Sequence, residues 1–367
     1  MNRERTYEEI LQACRLMMRH RQALAYPMLE KYVLSYVDVH TPNAALLSHI
    51  IAESLFRRLD STLIEGKNIY VQKFDIPQIT MFYKMAQAYP HIYVSHEIAN
   101  QYLAQGMRHE EEVTLLDIGV GKGVQVQRLL TRLMLDQTCR IKRVHIIGMD
   151  PDRANVDDAR AALMDLQQIV PFKIIYHPCE GCFEDLSLSE LDALRRVGQG
   201  AFFVNAAYAL HHTMHPPGDT SYRTTLVERL SDMRPRVFTL VEPSSDHDTE
   251  SLSKRFHNCW QHFGTVYDLI DESGLSPAER FSIKETFVGR EIRDMFGASD
   301  RFRCERHETY ERWLFRLTRA GFSFVKGVDV EFSLPSYGES WVSDGLIRLG
   351  YNGLPLIAVF AVTADAP

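Results

Sequence analysis

Apolar residues in the first third of the chain recur at helical spacing: Ile10, Cys14, Met17 and Met18; then Leu46, Ile50, Ile51 and Leu55; then Ile98, Tyr102 and Leu103. Steps of three and four put each set on one face of a helix, and no strand-like run interrupts them. Near residue 110 the pattern changes to short, almost unbroken apolar runs at 113–118, 144–149, 172–176, 201–206, 237–241, 322–328 and 354–362. Amphipathic stretches separate most of them, at 124–135, 152–168, 222–233, 251–270 and 308–320. Continuous apolar strands alternating with helices predict a mostly parallel sheet covered on both faces. The expected organisation is an α/β fold with a helical cap over 1–110 and a Rossmann-like core over 111–367. A helical insertion at about 272–304 follows the fifth strand, and the last two strands form an antiparallel edge.

Composition narrows the partners. The chain has 367 residues, 45% hydrophobic and 24% charged, which suits a globular protein with a large core. A net charge of −7 repels polyanions at long range, so neither nucleic acid nor a membrane surface is an expected partner. The first ten residues are too charged for a signal peptide, and the run at 354–362 is too short to cross a bilayer. Six scattered cysteines give no disulfide framework, so the expected setting is the cytoplasm.

The most specific local signal is the segment Leu115-Leu116-Asp117-Ile118-Gly119-Val120-Gly121-Lys122-Gly123, which ends the first strand and opens a helix. Glycines at a strand end let the backbone turn tightly against a ligand. A dinucleotide turn, G-x-G-x-x-G, needs glycine where this chain has Val124. The spacing D-x-G-x-G-x-G instead resembles that of class I S-adenosylmethionine methyltransferases, with Asp117 meeting the ammonium of the cofactor. Asp150 ends the next strand, where a carboxylate can accept hydrogen bonds from ribose hydroxyls. Cys182 and Phe183, after the third strand, are placed to flank adenine.

Ligands of open α/β sheets sit beyond the carboxyl ends of the strands. Asn205, His211 and His212 end the fourth strand there, and Glu242 and His247 end the fifth. Asn205 is therefore a cofactor-side candidate, while His211, Glu242 and His247 are candidates for taking a proton from a small-molecule methyl acceptor. A structural alternative pairs Glu242 with Arg290 or Arg306. Two groupings hint at metal, Cys179-x-x-Cys182 with His177 and the set His211, His212 and His215. Neither has a second pair at zinc spacing, so no metal is expected. In the cap, His96 and Asn100 share a helical face and can look toward the sheet. A homodimer is one open assembly state.

The same residues carry a family resemblance. Ala99-Asn100-Gln101, Val204-Asn205 with Leu210-His211, and Val241-Glu242 with His247, Arg255 and Phe256 resemble motifs of GRAS proteins. So do Gly289-Arg290-Glu291-Ile292 and Arg306-His307-Glu308 with Trp313, Arg316 and Ala320-Gly321-Phe322. The matches run in order from about Tyr7 to the C-terminus. The resemblance implies a class I methyltransferase-like fold with a helical cap, and plant members are transcriptional regulators. Plant proteins carry a long N-terminal extension and have lost most of the glycines in the turn. The turn kept here implies a bacterial-type member that binds S-adenosylmethionine and methylates a small molecule. The alternative is a non-catalytic ligand- or protein-binding regulator that keeps the fold.

Overall fold

The computed structural model describes residues 3–59, 69–70, 72–214, 219 and 221–364. Five helices come first: α1 (Arg3–Met18), α2 (Gln22–Val33), α3 (Asn43–Leu59), α4 (Gln78–Ala88) and α5 (Pro90–Met107). A sheet with interleaved helices follows: β1 (Glu112–Ile118), α6 (Val124–Leu135), β2 (Arg143–Asp150), α7 (Arg153–Leu166) and β3 (Lys173–Glu180). Next come α8 (Leu188–Arg195), β4 (Ala201–Ala207), α9 (Tyr222–Asp232), β5 (Val237–Pro243) and α10 (Leu252–Asp271). The insertion is built of α11 (Pro277–Ser282), a π-helical turn (Ile283–Val288) and α12 (Gly289–Gly297). The chain closes with α13 (Tyr310–Arg319), β6 (Ser323–Phe324), β7 (Glu339–Ser343), β8 (Leu346–Tyr351) and β9 (Leu354–Thr363).

The strands order as β3-β2-β1-β4-β5-β9-β8-β7, with β6 beside β9. The first five run parallel, and β7, β8 and β9 are antiparallel. The order reverses between β1 and β4, where Asp117 pairs in register with Asn205. At such a switch point the two following helices lie on opposite faces, and a crevice opens beyond the strand ends.

The central strands bury nearly every side chain, which is why their sequences are apolar throughout. Helix α5 lies against the sheet at β4, β5 and β9. A side chain in place of Gly106 would come within 2.9 Å of the Phe203 ring, so the close approach depends on that glycine. Three corrections to the sequence reading follow. The apolar run at 322–328 is a strand only at Ser323–Phe324. The antiparallel edge is a three-stranded meander, since β7 and β8 precede β9. Helix α8 had no counterpart among the expected elements. His215, one of the grouped histidines, lies outside the described residues.

Candidate functional site

The turn after β1 is left-handed at all three glycines, with φ of 79° at Gly119, 51° at Gly121 and 74° at Gly123. At Gly119 an added Cβ would sit 2.8 Å from the Ala209 Cβ, so both backbone angle and space demand glycine. The backbone amides of Gly119 and Val120 donate to the Met149 carbonyl, each at 2.9 Å, tying the turn to the end of β2. A cleft of about 750 Å³ opens beside it, lined by Gly119, Gly121, Asp150, Cys182 and Phe183, with Glu184 at its far side.

Asp150 is nearly buried and already works inside the protein. Its Oδ1 accepts from the Asp152 amide at 2.9 Å and from Asn155 Nδ2 at 3.0 Å, and its Oδ2 accepts from the Gly121 amide at 3.1 Å. A carboxylate offers about four acceptor positions, so one is left toward the cleft. The sequence expectation had this carboxylate grip both ribose hydroxyls, and three of its acceptor positions are taken within the protein. Burial raises its pKa against the pull of those three donors.

Asp117 faces a neighbouring recess that shares Gly119 and Gly121 with the cleft and also contains His96, Gln125 and Arg128. Asn205 Nδ2 donates to Asp117 Oδ1 at 2.7 Å, while Asn205 Oδ1 accepts from Thr239 at 2.8 Å. Asn205 lines neither space and acts by orienting Asp117. Burial lifts the Asp117 pKa to about 7, the Asn205 hydrogen bond opposes this, and the charge of Asp150 adds to it. Asn100 donates to the Gln125 carbonyl at 3.1 Å, and His96 packs against Tyr208 with ring centroids 5.6 Å apart.

A second, mostly apolar chamber of about 510 Å³ adjoins the cleft behind Tyr70, Phe82 and Tyr208. Tyr208 stands at this shared wall with φ of 55°, a backbone angle that costs a non-glycine residue energy. Of the three proton-acceptor candidates, only His211 reaches the chamber. Its Nδ1 meets Glu242 Oε2 at 2.6 Å, and Glu242 also accepts from the Leu210 amide at 2.8 Å. Burial pushes the Glu242 carboxyl up to about 7. Burial, with His212 and His307 adding to it, pushes His211 well below the ordinary histidine value. His247 is wholly buried behind it, 3.0 Å from His307 Nδ1.

The structural alternative for Glu242 does not form. Arg290 donates to the Ile76 carbonyl at 2.9 Å and to Gln78, and Arg306 pairs with Asp248 at 3.0 Å. Cys182 lines the cleft, while His177 bonds His145 at 3.0 Å, so that pair of cysteines does not gather with it. Sequence reasoning gave no site role to the chamber residues Tyr208, Glu291 and His307 or to Glu305 behind them, although Glu291 and His307 stand in two of the family-like motifs. They come from a strand end, the insertion and an irregular loop, with no shared spacing to reveal them.

A profile of the GRAS domain family matches residues 7–331. Protein SLENDER RICE1-LIKE 1 of Oryza sativa subsp. japonica is 26% identical over 306 residues, covering 78% of this chain and 60% of that protein. DELLA protein 2 of Medicago truncatula is 25% identical over 287 residues, covering 74% of this chain and 53% of that one. The chain thus spans between half and two thirds of the length of these relatives. The crystal structure of SCL7 in Oryza sativa superposes with a TM-score of 0.77 at 18% identity, covering 97% of this chain and 99% of that one. At that identity the likeness is one of fold.

Proposed function

Because the chain belongs to the GRAS domain family, we propose that it is a ligand-binding regulator of the GRAS type whose cleft takes S-adenosylmethionine or its demethylated product. The observation that carries this reading is the cleft beside the left-handed glycine turn, lined by Gly119, Gly121 and the buried Asp150, with the buried Asp117 in the adjoining recess. The free acceptor position of Asp150 suits a ribose hydroxyl, and Cys182 and Phe183 line the part of the cleft where a purine would lie. The recess on the other side of the turn offers Asp117 to an ammonium and Arg128 to a carboxylate, the two charges of the methionine part. The intact glycines are what a bacterial-type member would keep. The net charge of −7 speaks for small-molecule or protein partners over nucleic acid. No described helix is long and apolar enough to cross a membrane.

A second reading is methyl transfer to a small acceptor, and one observation favours it: the chamber that meets the cleft at Tyr208, with His211 on its wall. When bound, the cofactor would supply an electrophilic methyl group. The chamber would hold an apolar acceptor away from water, and His211, oriented by Glu242, would take its proton at Nε2.

Calorimetric titration of the folded protein with S-adenosylmethionine and with its demethylated product tests both readings. Saturable heat is expected, and Asp150→Ala should weaken binding about tenfold or more, the loss of one charge-assisted hydrogen bond. No heat with either compound removes the adenosyl ligand from both readings. Transfer of a labelled methyl group to any low-mass acceptor rejects the non-catalytic regulator in favour of the enzyme.

A further inference from the structure

Behind the chamber wall, Glu305 is completely buried, and neither of its carboxylate oxygens accepts a hydrogen bond. A buried carboxylate with no aligned donor is costly, and its charge has to be offset by the groups packed against it. Three imidazoles surround it. His211 Nε2 lies 3.7 Å and His307 Nε2 3.6 Å from Oε2, and His212 Nδ1 lies 2.9 Å from Oε1 without hydrogen-bond alignment. The ligand atoms of His211, Glu305 and His307 all fall within 4.8 Å of one another. His307 Nε2 is itself buried without a partner.

The far sides of the two rings are held. Glu242 Oε2 fixes His211 Nδ1 at 2.6 Å. His247 Nδ1 meets His307 Nδ1 at 3.0 Å, and its own Nε2 meets Ser245 Oγ at 3.0 Å. A metal-binding histidine is normally oriented in this way, through its second nitrogen. Two ligands roughly 2.1 Å from a four-coordinate ion stand roughly 3.4 Å apart; the two separations from Glu305 Oε2 are within a few tenths of an ångström of that, and the two histidine ligand atoms lie within 4.8 Å of one another. Glu242, which bonds His211, and Asp294, which accepts from the Glu305 amide at 2.6 Å, are further buried carboxyls around the cluster.

We propose that His211 Nε2, Glu305 and His307 Nε2 bind one divalent transition-metal ion, of the zinc or ferrous class. Two imidazoles and one carboxylate suit such ions better than magnesium or calcium, which prefer all-oxygen shells. His211 and His307 both line the chamber, so the remaining coordination position opens into it. The expectation of no metal rested on spacing between chain neighbours, whereas these ligands come from either end of an interval of almost a hundred residues. The site stands apart from the adenosyl reading and needs no ligand in the cleft. It does constrain the second reading, because an ion on His211 Nε2 occupies the nitrogen that would otherwise take the proton.

The test uses the untagged full chain, stripped with a chelator, dialysed and titrated with Co²⁺ alone while visible d–d absorption is followed. Saturation at a single equivalent, reversed by Zn²⁺, is the expected result. Glu305→Gln and His307→Ala should each weaken Co²⁺ binding about tenfold or more, and Glu242→Gln, which leaves the ligands in place, about 10- to 100-fold. The wild-type titration needs no variant, so it decides even where a variant fails to fold. Absence of saturable absorption overturns the proposal: protonated His212 is then the partner that offsets Glu305. A folded Glu305→Gln protein that binds Co²⁺ as tightly as wild type overturns it equally.

Discussion

Asp117 is the residue at which burial, charge and function meet most directly. It ionises at an ordinary value of 3.8 when unfolded and at about 7 in the folded chain, because burial outweighs the hydrogen bond from Asn205. Between those two values the folded protein keeps a proton that the unfolded chain has released. The contribution of Asp117 to stability is therefore present below about pH 4 and declines as pH rises toward 7. Asp117→Asn keeps an acceptor for Asn205 and removes the titration. Urea midpoints at pH 5 and pH 7.5 should show the variant gaining on wild type as pH rises, and parallel behaviour of the two proteins would refute the assignment. The same group predicts the direction of ligand binding. An ammonium needs the ionised carboxylate, so affinity for S-adenosylmethionine should rise from pH 6 to pH 8 in wild type and stay flat and weaker in Asp117→Asn.

One level up, the β1–turn–α6 element shows how a local sequence fixes its geometry. Gly123 caps α6 at φ 74°, and an added Cβ would lie 3.2 Å from Ala159 in α7. A left-handed alanine costs about 1–2 kcal/mol before any clash. Gly123→Ala should lower the free energy of unfolding by about that amount or slightly more, measured by urea titration. A change below about 0.5 kcal/mol would mean the helices yield freely. This element was legible because its constraints lie within nine consecutive residues. The parallel strands were legible for a related reason: burial on both faces leaves an unbroken apolar run. β7 was not, since Val342 in it is exposed and its edge position imposes no apolar pattern. The run at 322–328 misled in the other direction. Phe322 is apolar because it packs on Phe238, with ring centroids 5.6 Å apart, and the chain leaves the sheet soon after Phe324. The site divides in the same way. Asp117, Asp150, Cys182 and Phe183 follow from strand order, while Glu305 and His307 sit in an irregular loop that only tertiary packing brings to His211.

At the scale of the whole molecule, the chamber exists only because three separate parts of the chain close it. Phe82, Met85 and Ile92 come from α4 and α5, Phe287, Val288 and Glu291 from the insertion, and His211 and His307 from the ends of the core. Helix α5 does more than roof this space. His91 Nε2 contacts the Gly350 carbonyl at 2.9 Å, and Gln101 exchanges two hydrogen bonds with the backbone of Glu331, at 2.7 and 2.9 Å. Its buried face covers Phe203 and Val237 on the sheet. A chain starting at residue 111 would expose that face and leave the C-terminal strands without those ties. The apolar area uncovered is worth about 25 cal/mol per Å², and net stabilities are only about 5–15 kcal/mol, so losing one layer of the sheet consumes the margin. Residues 111–367 expressed alone should therefore show no cooperative unfolding transition. A soluble fragment with a sharp urea transition would mean that the sheet carries its own stability and that α5 belongs functionally to the roof.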